Sequence, residues 1–402
     1  MLKFGPARHN HSSMSRNVRF DVAKGIAILA VITIHVTGNR SRQIAIEGSQ
    51  FWWWLRYVNL AAAFAVPCFL LISAWLWTIS LERKSDLWEF VKTRFVSLAH
   101  PYVLWSLIYI TFRTRAGTSE PWPSLSRIGF ELSFGKSAYH LYFMVLIAQL
   151  IVIVPLFAWI FKRFKVGFWA MMAFTVAFEF VVLTIQKQTH LVVSFGSFAL
   201  GYAPVLLPAI WYGLNPARLE SLVDPVNLLN PKQKEVLESK LGEGVPRKMA
   251  FMQQMGLWIL SFFACLEYFA VHSRLLDKQP LDGLHVQVSN ILYTASIAWL
   301  VVVLSLTLPI YRLIETGLAW LGKNSLAIYL AHPAFLVVLT SPSVSRLLPK
   351  GYINVPIVWC GTVLISCGFA LAVEKMGLNG ILFGQWRRKP PVPPTENPLP
   401  AS

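Results

Sequence analysis

Two residues near the start of the chain, Lys24 and His35, have types and a spacing that suit proton transfer beside a fixed charge. Eleven helical steps of 100° return to within ~20° of the starting direction and climb ~16.5 Å, so both side chains share one face. Asp21, Lys24, Ile28, Val31 and His35 continue that face as a stripe, with Asp21 one turn from Lys24 and able to pair with it. An imidazole titrates near neutrality and can take a proton from a hydroxyl. A cation at the other end of the stripe suits phosphate groups.

Three further stretches carry chemistry-bearing side chains. In "WEFVKTRFVSLAHPYVLW", Lys92 and Arg94 precede His100 and Pro101. Fixed Lys and Arg charges at a water-filled mouth would form a phosphate site, and the plainer reading of Arg94 is a charge anchored at the membrane rim. In "SAYHLYFMVLIAQLIVIVPL", His140 and Tyr142 open an apolar run, with Tyr139 and Tyr142 expected as interfacial aromatics. Glu179 lies midway along another apolar run, where a carboxylate needs either a basic partner or a chemical role. Within "LGKNSLAIYLAHPAFL", Asn324 and Ser325 are expected to cap and hydrogen-bond between helices, and His332 to be structural.

The elements that must hold these groups are membrane helices. Of the 402 residues 55% are apolar and only 14% charged, far from soluble composition. Apolar runs long enough to cross a ~30 Å hydrocarbon core occur ten times. They lie near 20–37, 58–80, 95–112, 139–160, 166–185, 191–213, 251–272, 288–310, 318–340 and 354–375. Each is apolar all round, which predicts an all-α bundle of about ten transmembrane helices and excludes a barrel. Pro101 interrupts the third run, and Pro204 and Pro208 the sixth.

With the N-terminus inside, 24 of the 36 Lys and Arg residues fall in cytoplasmic segments, which predicts that both termini are cytoplasmic. The net charge of +17 therefore reflects topology, and no nucleic-acid patch or arm exists in the sequence. Cys68, Cys265, Cys360 and Cys367 all fall within predicted helices without a CxxC pair, so neither a zinc site nor a disulfide framework is expected. They are expected to be buried apolar residues. The first apolar run follows a basic segment but lacks a small-residue cleavage site after it, so it is expected to remain as the first span.

The predicted organisation is a cytoplasmic N-terminal segment (1–19), a membrane domain (20–375) and a disordered Pro-rich tail (376–402). The membrane domain includes a polar cytoplasmic loop at 214–250, with a short surface helix expected around 231–241. No soluble catalytic domain is present, so chemistry must occur within the bundle or at its rims. GxSxG, GxGxxG, GxxxxGK[ST] and HExxH are all missing from the sequence.

Taken in order, these segments resemble the acyltransferase-3 family of integral membrane O-acyltransferases. "RFDVAKGIAILAVITIH" resembles the family's opening signature, a basic residue ten intervening positions before a histidine, here Lys24 and His35. "VPCFLLISAWLW", "VKTRFVSLAHPY", "YHLYFMVLIAQL" and "LGKNSLAIYLAHP" are similar to its later segments. The family's Ser-Gly pair is Ser73-Ala74 here, and a second Arg expected three positions after Arg94 is Ser97.

The resemblance implies transfer of an acyl group, usually acetyl from acetyl-CoA, to a hydroxyl of a surface polysaccharide or lipid-linked glycan at the plasma (bacterial inner) membrane. It implies His35 as general base, His140 and Tyr142 around the acceptor or the carbonyl oxygen, and Lys24, Arg94, Lys92 and His100 at the coenzyme A phosphates. Asp21, Ser73 and Glu179 would be supporting residues. Acyl-CoA is then a donor substrate, with no metal and no permanently bound cofactor expected. The competing class is a polytopic exporter of a glycan or lipid-linked sugar; no inverted repeat between the halves and few Gly-broken helices support it.

Overall fold

The computed structural model describes residues 18–83, 86–115, 122–189, 197–215, 245–308 and 310–385. Among these the regular structure is helical throughout, with no strand. The helices are α1 (Val18–Gln43), α2 (Gln50–Ala61), α3 (Ala65–Arg83), α4 (Leu87–Arg115), α5 (Leu125–Phe134), α6 (Tyr142–Arg163) and α7 (Phe168–Thr189). There follow α8 (Ala203–Leu214), α9 (Val245–Leu276), α10 (Gly283–Thr307), α11 (Arg312–Lys323), α12 (Ser325–Leu339), α13 (Pro342–Ser345), α14 (Asn354–Lys375) and α15 (Asn379–Phe383).

Among the described residues eight helical segments are long and apolar enough to span a bilayer, α2 and α3 counting as one. Their outer surface carries Val152, Trp169, Val176, Phe180, Phe262, Phe263 and Leu364, all exposed. Apolar side chains spread around the outside of a bundle are placed for lipid, not water. The chain is a multi-pass membrane protein.

Two of the ten expected spans have other forms. The ninth is broken: α11 and α12 meet at an angle of 77°. Asn324 sits at the joint and donates from Nδ2 to the Trp320 carbonyl (3.0 Å), closing α11 rather than capping α12 with its side chain. The sixth is the short segment Ala199–Leu214, whose α8 is buried from Val205 through Gly213. A helix enclosed by protein need not match bilayer thickness; Pro204 stands in its first turn, where a proline is tolerated, and Pro208 within it.

α1 is the axis of the bundle, packed against α2, α3, α10, α11, α12 and α14. Its closest approach is to α11. A Cβ on Gly322 would stand 1.7 Å from the Asp21 carbonyl oxygen, and one on Gly25 would stand 2.1 Å from that of Leu318. Small residues at facing positions let two backbones touch, which is how helices associate without a hydrophobic driving force in lipid. Arg19 fastens the same end, donating to the Leu308 carbonyl (2.8 Å) and pairing with Glu315 (3.2 Å).

The connection before α6 is not plain loop. It contains α5, held by the buried Glu131, which pairs with Arg113 and Arg127 at 3.0 Å each. Beyond α14 the chain stays ordered through residue 385, correcting the expectation of disorder from 376. Trp105 donates to the Leu382 carbonyl (2.9 Å), docking α15 on α4. Residues 216–244, with the surface helix expected at 231–241, and the Pro-rich stretch after 385 lie outside the described residues, as do residues 1–17. All four cysteines are free; Cys68 is buried as expected, whereas Cys360 is exposed on the outer surface of α14.

Candidate active site

His35 and His140, expected from sequence to act together, lie in one cluster of rings. His35 from α1 stacks on His332 from α12 (ring centroids 5.2 Å, interplanar angle 28°) and packs against Tyr139 (4.8 Å). His140 lies 5.9 Å from His332 and is surrounded by Tyr109 of α4 (4.9 Å), Tyr139 (5.5 Å) and Tyr329 (5.4 Å). Three imidazoles and three phenols thus converge from α1, α4, α12 and the turn before α6.

Local sequence explains each placement. Tyr329 and His332 are three residues apart on α12 and so share a face. Tyr109 donates to the Leu330 carbonyl (2.6 Å), and the Tyr329 hydroxyl donates to the His140 carbonyl, fixing α12 to α4 and to the turn. The turn reaches inward because Gly135 ends α5 at φ +66° with its Cα against the Tyr142 backbone, where a Cβ would meet nitrogen at 2.6 Å. Only glycine combines that dihedral with that approach.

The cluster carries unused hydrogen-bonding capacity. Both ring nitrogens of His140 and Nε2 of His332 are buried without a protein partner among the described residues. An unsatisfied buried polar atom costs ~1–3 kcal/mol, so three together mark a place built for something other than stability. His35 is only partly buried, and Tyr139 is 56% exposed, so these two form the edge at which the cluster opens. Arg42, two turns beyond His35 on the same face, is exposed and close enough for its charge to act on both. Among the described residues no group of His, Cys, Asp or Glu is arranged to hold a metal ion.

A family model described as an acyltransferase domain matches residues 17–375, nearly the whole chain. The chain belongs to the acyltransferase-3 family. Comparison with curated proteins and with solved structures finds no match.

In this acyltransferase the residues expected at the donor end are held differently from the expectation. Lys24 pairs with Asp21 (Nζ to Oδ1, 3.2 Å), as the stripe predicted. Between Lys24 and His35, however, Ile28 and Val31 are buried at 0% and 2% exposure, so packed side chains fill the face that the two share. Arg94 donates to Ser80 (3.0 Å) and lies over the rings of Trp77 (5.1 Å) and Phe90 (5.7 Å), while Lys92 is exposed. His100 hydrogen-bonds through Nε2 to the Ile381 carbonyl (2.7 Å), so this ring docks α15.

Tyr142 is the first residue of α6 and packs on the core; its neighbour Tyr139, expected only as an interfacial aromatic, is the one against His35. Ser73 is partly buried on α3 and makes no ring contact. Glu179 is buried on α7 with neither carboxylate oxygen hydrogen-bonded among the described residues. Tyr109, Tyr329 and His332 are the members that sequence reasoning missed or set aside. The signal was present in "YLAHP", where a Tyr and a His at helical spacing precede a proline.

Proposed function

We propose that this acyltransferase moves an acyl group, acetyl being the best fit, from acyl-CoA to a hydroxyl of a surface polysaccharide or lipid-linked glycan, in a bacterial inner membrane. The observation that carries the reading is the convergence of His35, His140 and His332, with three buried ring nitrogens unpartnered, in a member of an acyltransferase family.

His35 stands at the open edge of the cluster, where a hydroxyl can reach it. Its free lone pair takes the hydroxyl proton as the oxygen attacks the thioester carbonyl. The carbon–sulfur bond then breaks, and the imidazolium returns its proton to the departing thiolate, leaving an ester and free CoA thiol. His140, neutral and carrying one N–H, is placed to donate to the carbonyl oxygen as charge develops there.

The donor enters from the Lys24 end. Lys24, Lys92 and Arg94 supply positive charge for the coenzyme phosphates, whereas His100 is engaged by Ile381 and has no part. The pantetheine arm must follow the Lys24 face of α1, so Ile28 and Val31 have to part as it passes. Mass spectrometry of cell-surface glycans from cells with and without this chain tests the reading. An acetyl-sized mass on a glycan that depends on the chain supports it; identical glycans, with export lost instead, would favour the exporter.

A further inference from the structure

His332 is set apart from the other two histidines by its hydrogen bonds. Its Nδ1 lies 2.8 Å from the Tyr329 carbonyl oxygen and 3.1 Å from that of Ile328. Carbonyl oxygens only accept, so Nδ1 carries the hydrogen. In the neutral ring the lone pair is then confined to Nε2, which is buried and has no protein partner among the described residues.

The sequence explains why this arrangement is available. In an uninterrupted helix the Tyr329 carbonyl would accept from the N–H of residue 333. That residue is Pro333, which has no N–H, so the carbonyl is left to the side chain one position earlier. The proline thus leaves the Tyr329 carbonyl free to share the Nδ1 hydrogen with that of Ile328. A histidine whose second nitrogen donates to a backbone carbonyl is both oriented and better able to hold a second proton, the device used behind metal-bound and nucleophile-activating imidazoles.

We propose that His332 is a second proton acceptor of the transfer reaction, sharing with His35 the work of a base, and that Pro333 is the positioning residue that aims it. This rests on the acyl-transfer reading above and names a residue and an atom within it. The acceptor hydroxyl enters past Tyr139 to His35, whose ring stacks on that of His332. As the hydroxyl oxygen bonds to the acyl carbon, His35 takes its proton at one ring nitrogen and gives up the proton of the other to His332 Nε2; as the carbon–sulfur bond breaks, the relay runs back and a proton passes from His35 to the CoA sulfur. No other oxidant, reductant or co-reactant is required. The stacked His35 ring, facing His332 at 28°, spreads the positive charge held during the step, and the two carbonyls on Nδ1 stabilise it.

The test uses the full-length protein in lipid nanodiscs with acetyl-CoA and a glycan acceptor. Nitrogen NMR of histidine-labelled protein, with the His332 signal assigned by its loss in His332→Gln, is expected to place the proton on Nδ1. A proton on Nε2 overturns the proposal whatever the activity. The His332→Gln enzyme is expected to lose ~10²–10⁴-fold in kcat, the usual worth of one positioned base, while the KM for acetyl-CoA stays near its wild-type value.

Loss of donor binding together with turnover would mean a merely structural role. In His332→Ala, added azoles are expected to restore rate in proportion to their basicity; restoration indifferent to basicity overturns the proposal. Pro333→Ala restores an N–H for the Tyr329 carbonyl, and the NMR spectrum is expected to show both tautomers of His332, with kcat lowered and donor KM unmoved. An unchanged spectrum would remove Pro333 from the account. If wild-type protein itself releases no CoA thiol, the acyl-transfer reading fails first, and the nitrogen spectrum still decides the tautomer.

Discussion

The tetrapeptide Leu-Ala-His-Pro occurs twice in this chain, at 98–101 in α4 and at 330–333 in α12, with different outcomes. In both, proline withdraws the N–H that the carbonyl four residues earlier would accept, Ser97 in one and Tyr329 in the other. In α12 the freed carbonyl takes the Nδ1 hydrogen of His332, and the ring is buried among aromatic neighbours. In α4 the freed Ser97 carbonyl is covered by Gly384, whose Cβ, were there one, would stand 2.5 Å away. His100 remains exposed and reaches the Ile381 carbonyl. The same four residues present an exposed docking ring in one helix and a buried, carbonyl-anchored imidazole in the other. What packs against the freed carbonyl decides which.

Substitutions that separate the two segments break or sharpen this comparison. The largest difference is expected in turnover. His332→Ala should lower kcat by at least ~10²-fold, measured as CoA thiol release, whereas His100→Ala should leave kcat near wild type. Equal losses in the two would erase the distinction.

Next is Gly384→Ala, which places a methyl against the Ser97 carbonyl and strains a residue at φ +66°. It should destabilise the protein by ~1–3 kcal/mol, seen as a lower thermal midpoint in detergent, with kcat preserved in the folded fraction. Smaller still is His100→Ala itself. Removing its hydrogen bond to Ile381 should cost ~1 kcal/mol and speed hydrogen exchange of the 379–385 amides without altering exchange in α12. On the donor side, Ile28→Trp should obstruct the face between Lys24 and His35. It is expected to raise the KM for acetyl-CoA while leaving the nitrogen spectrum of His332 as in the wild type; a shifted spectrum would mean that the tryptophan disturbs the rings directly.

Much of the architecture was legible because bilayer thickness sets a minimum apolar length, and nine of the ten segments expected on that ground lie on the eight span-length helices or the bent pair. The remaining segment, 191–213, is described only from residue 197 on, where α8 is wrapped in protein; a helix enclosed by protein is as apolar as one in lipid. The break between α11 and α12 was only half legible: Asn324 was expected as a cap, but the contacts of Gly25 with Leu318 and of Gly322 with Asp21, which hold α11 along α1, have no signature in the sequence.

For the site, helical arithmetic placed Lys24 and His35 on one face, and the Lys24–Asp21 pair followed from spacing. The closure of that face by Ile28 and Val31 did not, since periodicity tells which residues share a direction and not how tightly their neighbours fill it. His332 was set aside as structural because a histidine on an apolar helix is usually satisfied. Only the three-dimensional meeting of α1, α12 and the turn before α6 shows that its Nε2 is not.

The central claim is that acyl transfer takes place at the imidazole cluster around His35. It is tested most directly by following thiol release from acetyl-CoA by the purified protein in nanodiscs, with and without a glycan acceptor, for the wild type and for His35→Ala. The account predicts acceptor-dependent release by the wild type and a loss of at least ~10²-fold in the variant. Undiminished, acceptor-dependent release by His35→Ala would contradict it.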